Sequence, residues 1–242
     1  MQIDTKTIRK HFQKSIDKYE QNALVQKLMA QKIVDNLQSV EGDFLEIGSG
    51  AGVLTKLLSG FNYNIYCAND LVEKSEIYVK KYIPSAQFFA GDFRRIKFHK
   101  TFDLIASNAV FQWCDNLDKV FSTCWHNLKS SGILAFSTFS CDNFFEFREI
   151  SGLSLDYKSL NELVGMLSPN FEIIYSEQFE HKLHFDNPLQ ILAHMKNTGV
   201  NSLSEKSWGI TEVREFCDNY RAKFPDLNLT YSPIIIVCRK LN

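Results

Sequence analysis

The stretch from residue 44 to residue 58 constrains the fold more than any other part of the chain. A short apolar run, Phe44-Leu45-Glu46-Ile47, meets the cluster Gly48-Ser49-Gly50-Ala51-Gly52, and Val53-Leu54-Thr55-Lys56-Leu57-Leu58 follows with helix-forming character. Strand, glycine turn and helix in that order open a βαβ unit. The grammar repeats downstream, with strands predicted at 64–68, 86–90, 102–106 and 132–137 and helices at 72–82 and 117–128. Such alternation predicts an α/β, Rossmann-like fold: a mostly parallel, seven-stranded sheet with helices on both faces and its ligand edge at one set of strand ends.

The flanks carry other patterns. Residues 4–38 read as helix, because Ile8, Phe12, Ile16 and Tyr19, then Leu24, Leu28 and Val34, recur near the helical period. Beyond residue 139 comes a phenylalanine-rich segment with Phe144, Phe145 and Phe147. A helix near 157–167, a strand-like run at 171–185, helices at 189–196 and 211–223, and a closing strand within 227–239 follow it. A chain of 242 residues, 45% apolar, can bury one sizeable core. A single domain over 1–242 is expected, with a helical extension at 1–40, a ligand-binding half at 41–139 and a substrate-side half with lid elements at 140–242.

Composition excludes several functions. The 27 basic and 28 acidic residues nearly cancel, so no global field draws the chain to nucleic acid or anionic membrane. No stretch approaches the roughly 20 apolar residues of a membrane span, and the polar N-terminus does not read as a signal peptide, so a cytoplasmic location is expected. The six cysteines lack ligand spacing and read as reduced thiols, and the six histidines form no triad or metal pattern. No metal is expected.

The glycine spacing carries the chemistry. In Gly48-x-Gly50-x-Gly52 the third glycine precedes the position that a dinucleotide fingerprint requires, which Val53 occupies. Glu46, two residues before the turn, would repel a pyrophosphate but attract the ammonium and sulfonium of S-adenosyl-L-methionine. Asp70, with Leu71 beside it, follows the second strand at the distance where a carboxylate accepts from ribose hydroxyls. Asp92 follows the third strand, placed to accept from an adenine amino group while Phe93 flanks the ring. Three acids at the ends of three consecutive strands point to one shared ligand, although Asp70 taken alone also reads as a helix cap and Asp92 as a turn residue.

Leu45 to Gly52 with Asp70 and Gly91-Asp92 resembles the first three motifs of class I S-adenosylmethionine methyltransferases. Three further stretches are similar to one group of them, the malonyl-acyl-carrier-protein O-methyltransferases of biotin synthesis, the BioC family. They are Phe12-x-x-Ser15-x-x-x-Tyr19-Glu20-Gln21-Asn22-Ala23-x-Val25-Gln26, Ser107 to Cys114, and Gly199-Val200-Asn201-Ser202 with Leu229-Thr230-Tyr231. The resemblance implies that Tyr19 and Gln26 close over the cofactor as part of an N-terminal helical lid, and that Asn108 lines its methionine end; Ser49 belongs to the same turn. Trp113 reads equally as a core residue.

The implied substrate is malonyl-acyl-carrier protein or malonyl-CoA, methylated on its free carboxylate, with S-adenosyl-L-homocysteine as the other product. A carboxylate of pKa roughly 4 is already the nucleophile at neutral pH, so no general base is expected. A cation should select it; Arg148 is the first candidate and Lys158 the second. The basic N-terminal helix (Lys6, Arg9, Lys10, Lys14, Lys18) and the run Arg94 to Lys100 are candidate surfaces for an acidic carrier, and each also reads as a solvated face. A monomer is expected. The alternatives are a methyltransferase for another small metabolite, a noncatalytic scaffold that binds S-adenosylmethionine and, less compatible with Glu46, a nicotinamide dehydrogenase.

Overall fold

The computed structural model describes residues 5–37, 39–197 and 208–242, apart from the side chains of residues 15 and 18–21. Two helices come first, α1 (Thr5–Asn22) and α2 (Leu24–Asp35). The alternating part follows as β1 (Gly42–Ile47), α3 (Val53–Leu58), β2 (Tyr63–Asp70), α4 (Ser75–Tyr82), β3 (Gln87–Ala90), β4 (Phe102–Asn108), α5 (Leu117–Asn127) and β5 (Leu128–Phe139). The remainder is α6 (Phe145–Ser151), α7 (Leu160–Leu167), β6 (Phe171–Gln178), β7 (His181–His184), α8 (Pro188–Asn197), α9 (Ile210–Lys223), β8 (Asn228–Tyr231) and β9 (Pro233–Lys240).

Seven strands form one sheet in the order β3-β2-β1-β4-β5-β9-β6. The pairs from β3 to β5 are parallel, and β9 runs antiparallel to both β5 and β6. Strand order reverses between β1 and β4, and a crevice opens at such a reversal because the two connections leave in opposite directions.

Period-two alternation builds a core on each face. Phe44, Leu104, Ala135 and Val237 join one apolar cluster with Val25, Met29 and Ile33 of α2 and Leu54 of α3. Their neighbours Leu45, Ile105, Phe136 and Ile236 join the other, with Phe121 of α5 and Leu167 of α7. A strand such as β9, buried on both faces over Pro233 to Cys238, therefore reads as an unbroken apolar run.

The predicted helix over 4–38 is two helices. The break falls at Ala23, fully buried with φ −89° and ψ 47°, where the chain turns from α1 to pack α2 on the sheet. The strand-like run 171–185 also divides, since β7 leaves the main sheet and pairs with β8 in a separate two-stranded ribbon. The phenylalanine-rich segment, for which no element was predicted, contains α6. It is pinned by buried Glu146, whose carboxylate accepts from the backbone and hydroxyl of Thr230.

Candidate active site

The site is assembled from the loops that leave β1, β2, β3 and β4. The N–H groups of Gly48 and Ser49 donate to the Asn69 carbonyl at 2.8 and 3.0 Å, so the glycine turn is fastened to the end of β2. Gly48 has φ +72°, and a Cβ there would lie 2.2 Å from Cγ2 of Val110. Only glycine lets the β1 turn meet the loop after β4 so closely. At Gly50, φ +50°, a Cβ would meet nothing nearer than the Gly48 carbonyl at 4.0 Å and would project into open space.

That space is a cavity of about 1060 Å³, mouth included, at the C-terminal ends of β1 to β4. Of the sequence-predicted residues, Glu46, Gly48, Ser49, Gly50, Asp70, Leu71, Asp92, Phe93 and Asn108 line it together. Gly52 lies outside the wall, at φ +75°, where a Cβ would come within 3.2 Å of the Tyr78 carbonyl of α4. Gln26 is also outside. Its side chain is buried with Oε1 lacking a partner, and its carbonyl accepts from Asn108 Nδ2 at 3.0 Å. The side chain of Tyr19 and the pattern at 199–202 lie outside the described residues.

Two carboxylates dominate the wall. Glu46, 1% exposed, accepts at Oε2 from Thr55 Oγ1 and from the Tyr66 hydroxyl, both at 2.6 Å. Burial pushes its carboxyl up to about 7 against the pull of those two bonds, and nearby Asp70 adds to the rise. Asp70 accepts from the N–H of Gly50 and the N–H of Val72, each at 2.8 Å. Burial raises its carboxyl as well, opposed by those amides. Among the described residues no basic side chain contributes to either group. Such a pair is suited to a ligand that brings its own positive charge and hydroxyl donors.

Asp92 is different. Although burial works to raise it, Arg94 holds its carboxyl below the usual range, donating from Nε to Oδ1 at 2.9 Å and from Nη2 to Oδ2 at 2.8 Å. Arg94 also pairs with Asp115. Any further donor to Asp92 shares an oxygen already engaged by Arg94. Phe93 is buried, its ring centroid 6.2 Å from that of Phe111.

A helical lid from the N-terminal segment is expected from the sequence, but not the residues that line it. Ile8, Phe12 and Ile16 of α1 line the cavity, and the ring of Phe12 meets Trp113 edge-on at 5.6 Å. Their spacing of four was the available signal: it marks one face of a helix without saying what that face covers. Trp113 and Cys114 line this cavity and also a second cleft of about 1350 Å³, open mouth included, bounded by Gln112, Thr138, Tyr157 and Lys158 among others. The two spaces share a wall. Arg148 lines neither and donates to the Cys141 carbonyl. Lys158 pairs at 3.3 Å with Asp156, whose side chain is 78% exposed.

Ser49 completes the picture, since its hydroxyl is buried in the wall without a hydrogen-bond partner among the described residues. An orphaned polar atom beside two carboxylates and a space opened by Gly50 is what a polar, cationic cofactor would satisfy. The donor set fits S-adenosylmethionine.

A family model described as a methyltransferase domain matches residues 45–136. Among solved structures, the N-methyltransferase NodS from Bradyrhizobium japonicum WM9, in complex with S-adenosyl-L-homocysteine, aligns with a TM-score of 0.60 over 98% of this chain and 100% of its own, at 11% identity. Fold and site therefore define a class I methyltransferase. The malonyl-[acyl-carrier protein] O-methyltransferase of Haemophilus influenzae is 33% identical over 247 residues, covering 98% of this chain and 95% of its own length. The enzyme of the same description from Calditerrivibrio nitroreducens is 34% identical over 241 residues, covering 97% and 96%. This chain belongs to the malonyl-[acyl-carrier protein] O-methyltransferase family.

Proposed function

We propose that the chain uses S-adenosyl-L-methionine to convert the free carboxylate of malonyl-acyl-carrier protein to its methyl ester, a step of biotin synthesis. The observation that carries the cofactor is the pair Glu46 and Asp70, two buried cavity carboxylates with no basic partner among the described residues. When bound, the cofactor supplies a methyl group on a cationic sulfur. In this reading Asp70 takes the ribose hydroxyls, Glu46 and Ser49 face the amino-acid end, and Asn108 lies beside the methyl.

A malonyl carboxylate is ionised at neutral pH and attacks without a general base. The absence of histidine from the cavity wall among the described residues is compatible with this chemistry. What the chain must do is hold the carboxylate in line and keep water away, within about 3 to 3.5 Å of the methyl. The roof of Ile8, Phe12 and Ile16 supports the exclusion of water. We assign the carboxylate to the second cleft, with Lys158 selecting it, in preference to Arg148, which lines neither space.

The exposed Lys6, Arg9, Lys10 and Lys14 of α1 form a basic face for an acidic carrier. The test is mass spectrometry of malonyl-acyl-carrier protein incubated with this protein and S-adenosylmethionine, with malonyl-CoA and matched free acids in parallel. A gain of roughly 14 Da on the carrier, lost in Asp70→Ala, supports the reading. Cofactor binding with methylation of a free acid only would replace it with a small-metabolite enzyme.

A further inference from the structure

The hydrogen bonds of Glu46 have a consequence beyond the cavity wall. Oε2 receives two hydroxyl donors at 2.6 Å from different elements, Thr55 on α3 and Tyr66 on β2. Both donors are themselves buried, Thr55 at 0% and Tyr66 at 2% exposure, so neither has water as an alternative partner. Two converging O–H donors suit a carboxylate and favour its ionised form, while burial favours the protonated one. The carboxyl is therefore balanced between two states, and a cation in the cavity would decide between them.

We propose that Thr55 and Tyr66 are positioning residues that hold Glu46 for the cationic end of the cofactor, so that binding there releases a proton from Glu46 to solvent. The inference rests on the reading of this cavity as the cofactor site. The surroundings of Glu46 are sparse in other titratable groups. Besides Tyr66, β2 contributes Asp70 and α3 the Thr55 hydroxyl, while Arg9 of α1 and the paired Asp92 and Arg94 line the same cavity without contributing to the Glu46 carboxyl. The strand neighbours of Glu46 are Ala68 and Ala106, and α2 turns only Gln26 and apolar residues inward. The burial that lifts the Glu46 carboxyl to about 7 places the release in the neutral range.

The sign follows from linkage. A cation favours the ionised carboxyl, so affinity rises with pH through neutrality and levels off above it. Removing one hydroxyl withdraws support from the ionised form and moves the rise to higher pH, by about one unit, since a hydrogen bond to a charged group is worth roughly a factor of ten.

Calorimetry of S-adenosyl-L-homocysteine binding between pH 6 and 8.5, in two buffers of different ionisation enthalpy, counts the protons released. The native protein should release a fraction of a proton that declines towards pH 8.5. Thr55→Val and Tyr66→Phe should displace that profile upward, with about tenfold weaker binding at pH 7 and a much smaller deficit at pH 8.5. Thr55→Ser should restore the native profile. An unchanged release profile in both variants, or an equal loss of affinity at every pH, assigns the hydroxyls to packing alone and overturns the proposal. The same holds if native binding releases no proton. Failure of the native protein to bind S-adenosylhomocysteine at all overturns the cofactor reading as well, which separates the two failures.

Discussion

The hydroxyl oxygen of Tyr231 lies 2.7 Å from Nε2 of His194, joining the end of β8 to α8 beneath the ring of Phe185. Burial lowers the His194 imidazole from its ordinary value to about 4, so it is neutral in the folded protein at physiological pH. The unfolded chain binds a proton near 6.5 and the folded one does not until about 4. Stability is therefore complete above pH 6.5 and falls as pH drops from 6.5 towards 4, by up to about 3 kcal/mol. Thermal melts across that range should show a steep acid limb that His194→Gln flattens.

The two turn glycines should fail differently. Gly48→Ala places a methyl on Val110 at a positive φ, and the expected result is a lowered melting temperature, with at least the about 1–2 kcal/mol of a left-handed backbone lost. Gly50→Ala has room for its methyl in the protein but puts it in the cavity. It should fold with a modest loss of stability and raise the KM for S-adenosylmethionine by about tenfold or more. Paired melting and cofactor titrations distinguish the two.

The roof is tied down at its rim. Asp17 on α1 accepts from Lys74 Nζ at 2.6 Å and from the Tyr78 hydroxyl, and Arg9 pairs with Glu73 at 3.2 Å. These pairs are exposed, so salt screens them. Asp17→Asn should speed cofactor dissociation by a factor of roughly two to three at low ionic strength, with little change in melting temperature. The difference from the native protein should shrink as salt is added, which stopped-flow release measurements would show.

Lys158→Met should raise the KM for malonyl-acyl-carrier protein by about tenfold, through loss of a charge-assisted contact, and leave cofactor affinity unchanged. Arg148→Met should leave both unaltered. Steady-state kinetics on the two variants tests the choice between them, and the reverse result would move the carboxylate site to α6.

The legible part of this molecule was its alternating half. Phe44 to Leu58 and the repeats after it specify strand, turn and helix by local period alone, and the acids at 46, 70 and 92 fall at strand ends once that order is known. What stayed hidden depends on contacts made only in the folded chain. Arg94 is two residues from Asp92, yet nothing in the order of residues shows that both Asp92 oxygens are held by it. The break at Ala23 carries no glycine or proline, because it is set by what α1 and α2 each cover. The transfer of His181–His184 to a second ribbon is equally silent, since β6 and β7 are joined by Phe179-Glu180 without a turn residue.

β9 occupies a place in the sheet that its place in the chain does not suggest. It follows every other described strand in the chain, yet it lies between β5 and β6, which do not touch each other as neighbours. During translation the half that contains the glycine turn can form while β6 has no edge to join. A chain cut before residue 233 would keep every residue that lines the cavity and lose the strand on which β6 is paired. Supplying the β9 segment as a separate peptide to such a fragment would make assembly of the enzyme an event controlled from outside.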